Sequence, residues 1–396
     1  MGRESQTHSP ANKYLVKKYP SPEGDYMKKN LVSKLIPGKG QGSLARKRNL
    51  IPRCLVLLAG SAIVVGACTN PGDTGGATAS AGTPTGYVAN FGSGTVTPID
   101  TANNTALASI AVGRGPFAVA ITPDGKYAYV TDKLDGTVSV IDTSTNTNTG
   151  TTIKVGNLPF GIAMCPNGNA YVANFGSGTV SVIDTSTNKV VSTINSGLFP
   201  LGVACSPDGK TVYIANFGGS LLGVPSPYIP MVQGSIIPID TSTNKAGTPI
   251  KVGTGPYAVC FSPDSSTAYV PNAGSSNVSV INVATGKINE TIGVGLVPIG
   301  CGMSPDGSLL LVANAFSNSV SFINTTSNNV EATVSVGTNP EGIAFTPDGK
   351  TAYVDNFDIP NLTGSNVSVI NIAKQKVVST IAAMVDPENI AMDANP

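Results

Sequence analysis

Two glutamates carry most of the chemistry this chain could do. Glu341 and Glu388 each follow a proline, in Asn-Pro-Glu and Asp-Pro-Glu, and Asp386 stands two residues before the second. Acids brought together can hold a cation or divide into a general acid and a general base, because each carboxylate disfavours ionisation of the other. The plainer reading, and the expected one, is a pair of solvated acids at a channel rim. Other catalytic material is scarce. The one histidine is His8, and there is no tryptophan. Imidazole-dependent triads and His-ligated zinc, copper or haem are thereby excluded. The expectation is no catalytic residue, no metal site and no cofactor.

A repeat must position these residues. Tyr171-Val172-Ala173-Asn174 recurs in close copies at 87–90, 129–132, 213–216, 269–272, 311–314 and 353–356. The copies start 42 residues apart, except for the 56-residue step from Tyr213 to Tyr269, which carries 14 extra residues around 220–234. A fixed period of this length marks an array of one supersecondary unit. Residues 115–155 display its parts. Residues 116–121 (PFAVAI) form a short apolar strand and Pro123-Asp124-Gly125 a turn; further strands follow at 127–130, 137–141 and 151–155. The turns beginning at Asp142, Asp184 and Asp240 read Asp-Thr-Ser-Thr-Asn. Each holds a single acid, so backbone capping is expected there and calcium binding is not.

Four strands in about 40 residues is the pattern of a β-propeller blade. The predicted fold is all-β, a seven-bladed propeller of four-stranded antiparallel blades. Prolines at 116, 159, 200, 256, 298, 340 and 387 open the first strand of each unit. The array is out of phase: it begins at a second strand, at Tyr87, and ends on a lone first strand from Pro387. Joining that C-terminal strand to the N-terminal three completes one blade, closes the ring and covers two exposed edges.

Charge is distributed unevenly. Of 24 Lys and Arg, 12 lie in residues 1–67 with only 3 of the 23 acids, leaving 12 basic against 20 acidic residues beyond. A body with that excess of acids repels phosphate backbones, so nucleic acid is not an expected partner.

Residues 1–67 have the layout of a leader: a basic stretch ending in Arg46-Lys47-Arg48 and Arg53, then an apolar run from Cys54 to Ala67. That run is short for a membrane span. It ends Val65-Gly66-Ala67-Cys68, which resembles the lipobox of bacterial lipoproteins and implies lipidation of Cys68. Met27 is a more natural start than Met1. Residues 68–85, rich in Gly and Thr, are read as the lipidated cysteine and a flexible tether, and 86–396 as the propeller. Export, a lipid anchor in a membrane, and exposure to the periplasm or cell exterior are the resulting expectations.

Cys165, Cys205, Cys260 and Cys301 occupy four consecutive first strands, each one position further from the following turn than the one before. Alternation of side chains along a strand then points successive cysteines to opposite blade faces. One handedness pairs Cys165 with Cys205 and Cys260 with Cys301; the other allows only Cys205 with Cys260. Buried free thiols are the remaining outcome, and oxidation is compatible with export.

The Tyr-Val-x-Asn, Thr-Val-Ser-Val-Ile-Asp, Val-Gly-x-x-Pro and Ser/Thr-Pro-Asp-Gly elements together resemble the YVTN family of β-propeller repeat proteins. Members occur in archaeal surface layers and among exported or surface bacterial proteins. The resemblance covers residues 86–396 and implies the propeller fold, while propellers serve many roles. The expected function is non-catalytic binding or scaffolding for an envelope protein, a glycan or a small ligand. The alternatives are a hydrolase or lactonase-like enzyme using an acidic channel mouth, and a structural surface-layer component. The candidate face carries both insertions, 220–234 and 357–365. Its residues are Leu221, Leu222, Tyr228, Ile229 and Met231 of the first insertion, with Phe117, Phe160, Tyr257, Glu341 and Glu388 after the strand-opening prolines.

Overall fold

A computed structural model describes residues 86–218, 233–357, 365–382, 384 and 386–393, preceded by two short strands, Leu58–Ala59 and Ala62–Ile63. Cys68, most of the leader, the tether and the bulk of both insertions, with Leu221, Leu222, Tyr228, Ile229 and Met231, lie outside the described residues. The architecture below belongs to the unit Cys54–Pro396.

Seven antiparallel sheets are arranged as the blades of a propeller. Blade 1 runs outward through Pro116–Ile121, Tyr127–Asp132, Thr137–Asp142 and Thr147–Lys154. Blade 2 repeats it as Pro159–Met164, Asn169–Asn174, Thr179–Asp184 and Lys189–Asn195. Blades 3 to 6 follow from Pro200, Pro256, Pro298 and Pro340. Blade 7 is composite: the C-terminal strand Pro387–Met392 pairs with Gly86–Asn90, which pairs with Thr95–Asp100. Each inner strand packs against the inner strands of both neighbouring blades, and the last, Pro387–Met392, packs against the first, Pro116–Ile121. The ring is therefore closed by hydrogen bonds between the two chain ends.

Burial explains the composition of each strand. Second and third strands are sandwiched between adjacent blades, so both of their faces must be apolar or hydrogen-bonded. Tyr171, Val172, Ala173, Val180, Val182 and Ile183 are all fully buried. Outer strands such as Lys189–Asn195 meet solvent and are polar along most of their length. The cores lie between blades: one joins Tyr171, Val180 and Val182 of blade 2 to Val212, Ile214 and Ile239 of blade 3.

The recurring tetrapeptide welds blades together. The hydroxyls of Tyr87, Tyr129, Tyr171 and Tyr353 donate to the side-chain oxygens of Asn146, Asn188, Asn244 and Asn104, each in the next blade, at 2.5–2.8 Å. Those asparagines all hold positive φ, a conformation Asn tolerates at a turn. Tyr269 reaches Asn328 in the same way at 3.4 Å. The two remaining copies match in kind. Leu311 has no hydroxyl, and the turn that would face Tyr213 carries Gly286 at positive φ instead of Asn.

The fourth residue of the tag ends the second strand: Asn174 pairs with Thr179 across the ladder, and its carbonyl accepts the Ser177 and Gly178 amides in the following turn. Its amide donates to Ser181 Oγ at 2.9 Å, and its oxygen accepts the Gly156 amide at 3.1 Å. Asn314 repeats both contacts with Ser321 and Gly295. The Val-Gly element therefore needs glycine, since a Cβ at Gly156 would stand 2.6 Å from the Asn174 side chain.

Three of the described strands fall short of the regular pattern. The inner strand of blade 4 is reduced to Cys260–Phe261, with Pro256 held by a single bridge to Asn272. The outer strand of blade 3 is split into Lys245–Ala246 and Ile250–Thr254, and that of blade 7 into Thr105–Ala106 and Ile110–Ala111.

Candidate functional site at the channel mouth

Each inner strand begins with proline, and the next side chain projects towards the axis. Phe117, Phe160, Leu201, Tyr257, Ile299, Glu341 and Glu388 thus converge from seven blades around a cavity of about 170 Å³. The strands approach closely enough that the following position must be small. A Cβ at Gly202 would lie 2.3 Å from the Tyr257 carbonyl oxygen, and one at Gly161 would lie 2.6 Å from that of Leu201.

The wall is apolar on one side. Phe117 and Phe160 stack at 4.4 Å between centroids, Phe160 and Phe175 at 5.0 Å, and Phe175 and Phe199 at 4.9 Å. Leu201 and Ile299 extend it, both buried.

Glu341 and Glu388, on the adjacent blades 6 and 7, make another stretch of the wall acidic. Each keeps a little accessible surface because it opens on the channel, yet protein surrounds both. Loss of hydration raises the pKa of Glu341 well above the ordinary carboxylate range, and the Glu388 charge raises it further. Glu388 is raised by the same desolvation, against the opposing pull of Lys133. Ionisation of both carboxyls at once is thereby disfavoured. Tyr257 stands between Leu201 and Ile299 in the ring and packs on Phe217; burial, then Glu341 and Glu388, push its hydroxyl well above its usual pKa.

Lys133 supplies the positive charge. Its Nζ lies over three rings, 4.0 Å from the Phe160 centroid, 4.8 Å from Phe117 and 5.2 Å from Phe91. All three fall inside the range of a cation–π contact. Desolvation lowers its pKa, and Glu388 and Glu341 act against that.

Behind the glutamates sits Asp355, fully buried, with neither carboxyl oxygen hydrogen-bonded by geometric criteria. Its Oδ1 lies against Gly342, which lines the cavity; a Cβ on that glycine would be 2.4 Å away. Burial raises its pKa well above normal, the Gly342 amide partly offsets this, and Glu388 adds to it. Asp386, also buried, is raised by desolvation.

Of the residues singled out in sequence, Phe117, Phe160, Tyr257, Glu341 and Glu388 meet at this cavity. The cysteines lie lower on the same inner strands. Cys165 is bonded to Cys205, with Cα atoms 5.4 Å apart, and Cys260 to Cys301 at 6.2 Å. The capping turns hold no converging acids: Asp142, Asp184 and Asp240 each accept from the Ser backbone amide and hydroxyl two residues on. Among the described residues no group of three His, Cys, Asp or Glu side chains could hold a metal ion.

Lys133 and Asp355 escaped sequence reasoning, although the repeat carried a signal for both. Lys133 fills the position after the tag, where Phe91, Phe175, Phe217 and Phe357 stand in other copies. Asp355 fills the third tag position, where Ala89, Ala173, Ala215 and Ala313 stand.

Residues 245–361, less than half of the chain, match a family model described as YNCE-like beta-propeller. No curated protein matches the chain. Among solved structures, Kuenenia stuttgartiensis hydrazine synthase is similar with a TM-score of 0.62 and 23% identity, over 77% of this chain and 99% of that one. At that identity the likeness is one of fold.

Proposed function

We propose that this chain is an exported, lipid-anchored propeller whose channel mouth binds a small ligand without transforming it. The observation that carries the binding reading is the amphipathic cavity: Phe117, Phe160, Leu201, Tyr257 and Ile299 share the lining of about 170 Å³ with Glu341 and Glu388. Apolar lining with a few convergent polar groups is the usual composition of a ligand site. The exposed Leu134, Leu198, Leu296 and Phe316, on loops that follow second strands or precede inner ones, offer further contact surface to a partner. Anchoring rests on the basic leader, the apolar run and Cys68.

Thermal-shift screening of the purified full chain with small amines, carbohydrates and carboxylic acids tests the binding reading. A ligand class that raises Tm, with the rise lost in Phe160→Ala, is expected. Silence across every class would sink it. The anchor is tested separately by palmitate labelling of expressing cells, where Cys68→Ala should abolish incorporation.

A further inference from the structure

Resting on the reading of the mouth as a binding site, we propose that its ligand is a small organic ammonium ion. Its charge would lie between Glu341 and Glu388 and its apolar body on Phe117 and Phe160.

Three independent features point this way. The first is size. A cavity of about 170 Å³ compares with the roughly 150 Å³ of an apolar protein cavity that admits benzene. The ligand is therefore limited to about one ring with a short substituent.

The second is that the site already holds an ammonium group of its own. Lys133 Nζ rests on Phe160, Phe117 and Phe91 and faces the glutamates electrostatically, yet no carboxylate lies within salt-bridge distance of it among the described residues. The aromatic wall is thus shown to stabilise a cation, and the acids opposite remain free to engage a second one.

The third is the arrangement of charge. Glu341 and Glu388 stand on adjacent blades and line the cavity together. An ammonium ligand offers N–H donors to both carboxyls; a neutral ligand of the same shape lacks the charge, and an anion meets repulsion from the acids.

The experiment is calorimetric titration of the full chain with benzylammonium, benzyl alcohol and benzoate. Benzylammonium is expected to bind at least about tenfold more tightly than benzyl alcohol, and benzoate more weakly than either. Glu341→Gln and Glu388→Gln should each weaken benzylammonium at least about tenfold and leave benzyl alcohol unchanged. Equal binding of benzylammonium and benzyl alcohol would overturn the ammonium assignment and leave the binding reading standing. Failure of all three probes would overturn the inference, while the wider screen decides the binding reading itself. The comparison of the three probes is read on the unmodified protein, so it does not depend on a variant folding.

Discussion

The Tyr353 hydroxyl donates to Asn104 Oδ1 at 2.5 Å, and this bond fastens blade 6 to the blade built from both chain ends. The same clasp recurs around much of the ring, but here its partners are separated by 249 residues. Tyr353→Phe should cost about 1 kcal/mol in denaturant unfolding, the usual net worth of one hydrogen bond. Tyr213→Phe is the internal control. No asparagine faces that hydroxyl, so the change should stay within about 0.5 kcal/mol. Equal losses in both variants would show that the hydroxyl contributes nothing specific to closure.

Asp132 replaces the asparagine that ends most second strands. It accepts from Ser139 at 2.8 Å, Thr137 at 2.9 Å and the Gly113 amide at 3.0 Å, yet burial still lifts its pKa to about 6. The native state therefore holds a proton that the unfolded chain releases near pH 4. Between about pH 4 and about pH 6 the unfolded state binds fewer protons, so this residue makes stability fall as pH rises. Asp132→Asn should remove that slope and stabilise the protein by about 1–3 kcal/mol at pH 7.5, with little difference at pH 4. Thermal unfolding of both proteins across this range checks it.

Asp355 stands where blade 1 has Thr131. The Thr131 hydroxyl accepts the Ala118 amide at 3.0 Å and donates to the Phe160 carbonyl at 2.7 Å, tying two inner strands together. A neutral carboxyl at 355 can take the same two roles towards Gly342 and Glu388; a carboxylate cannot donate. Because its native pKa is raised, its contribution to stability declines as pH rises above the unfolded value of about 4. Asp355→Thr should match or exceed the wild type at pH 7 and lose less stability at alkaline pH. A variant that loses more than about 2 kcal/mol at every pH would rule out this reading.

The two disulfides each join inner strands of neighbouring blades, across 40 and 41 residues of sequence. By chain entropy a loop of that size is worth up to about 4 kcal/mol. Replacing Cys165 and Cys205 together by Ala should lower stability towards that limit. Peptide mapping without reductant should find no free thiol among the four. Four titratable thiols in the unfolded, unreduced protein would contradict the bonding.

The period, the strands and the closure at Pro387–Met392 were legible in sequence, because each is a local pattern repeated seven times. A Tyr-Val-x-Asn copy reads as a strand wherever it stands, and the mismatch of phase between the first and last units has one simple solution. That Asn174 also holds Gly156 was not legible, because that contact lies 18 residues away. The site depended on convergence. Glu341, Glu388, Lys133 and Asp355 come from blades 6, 7, 1 and 6, and no spacing along the chain says which side chains meet at an axis. Solvation was decided there too: an acid beside a proline looks like a rim residue, and only the closed ring removes its water. Local pairing energies thus determine a propeller, while the desolvation produced by seven unlike strands meeting decides what its mouth can hold.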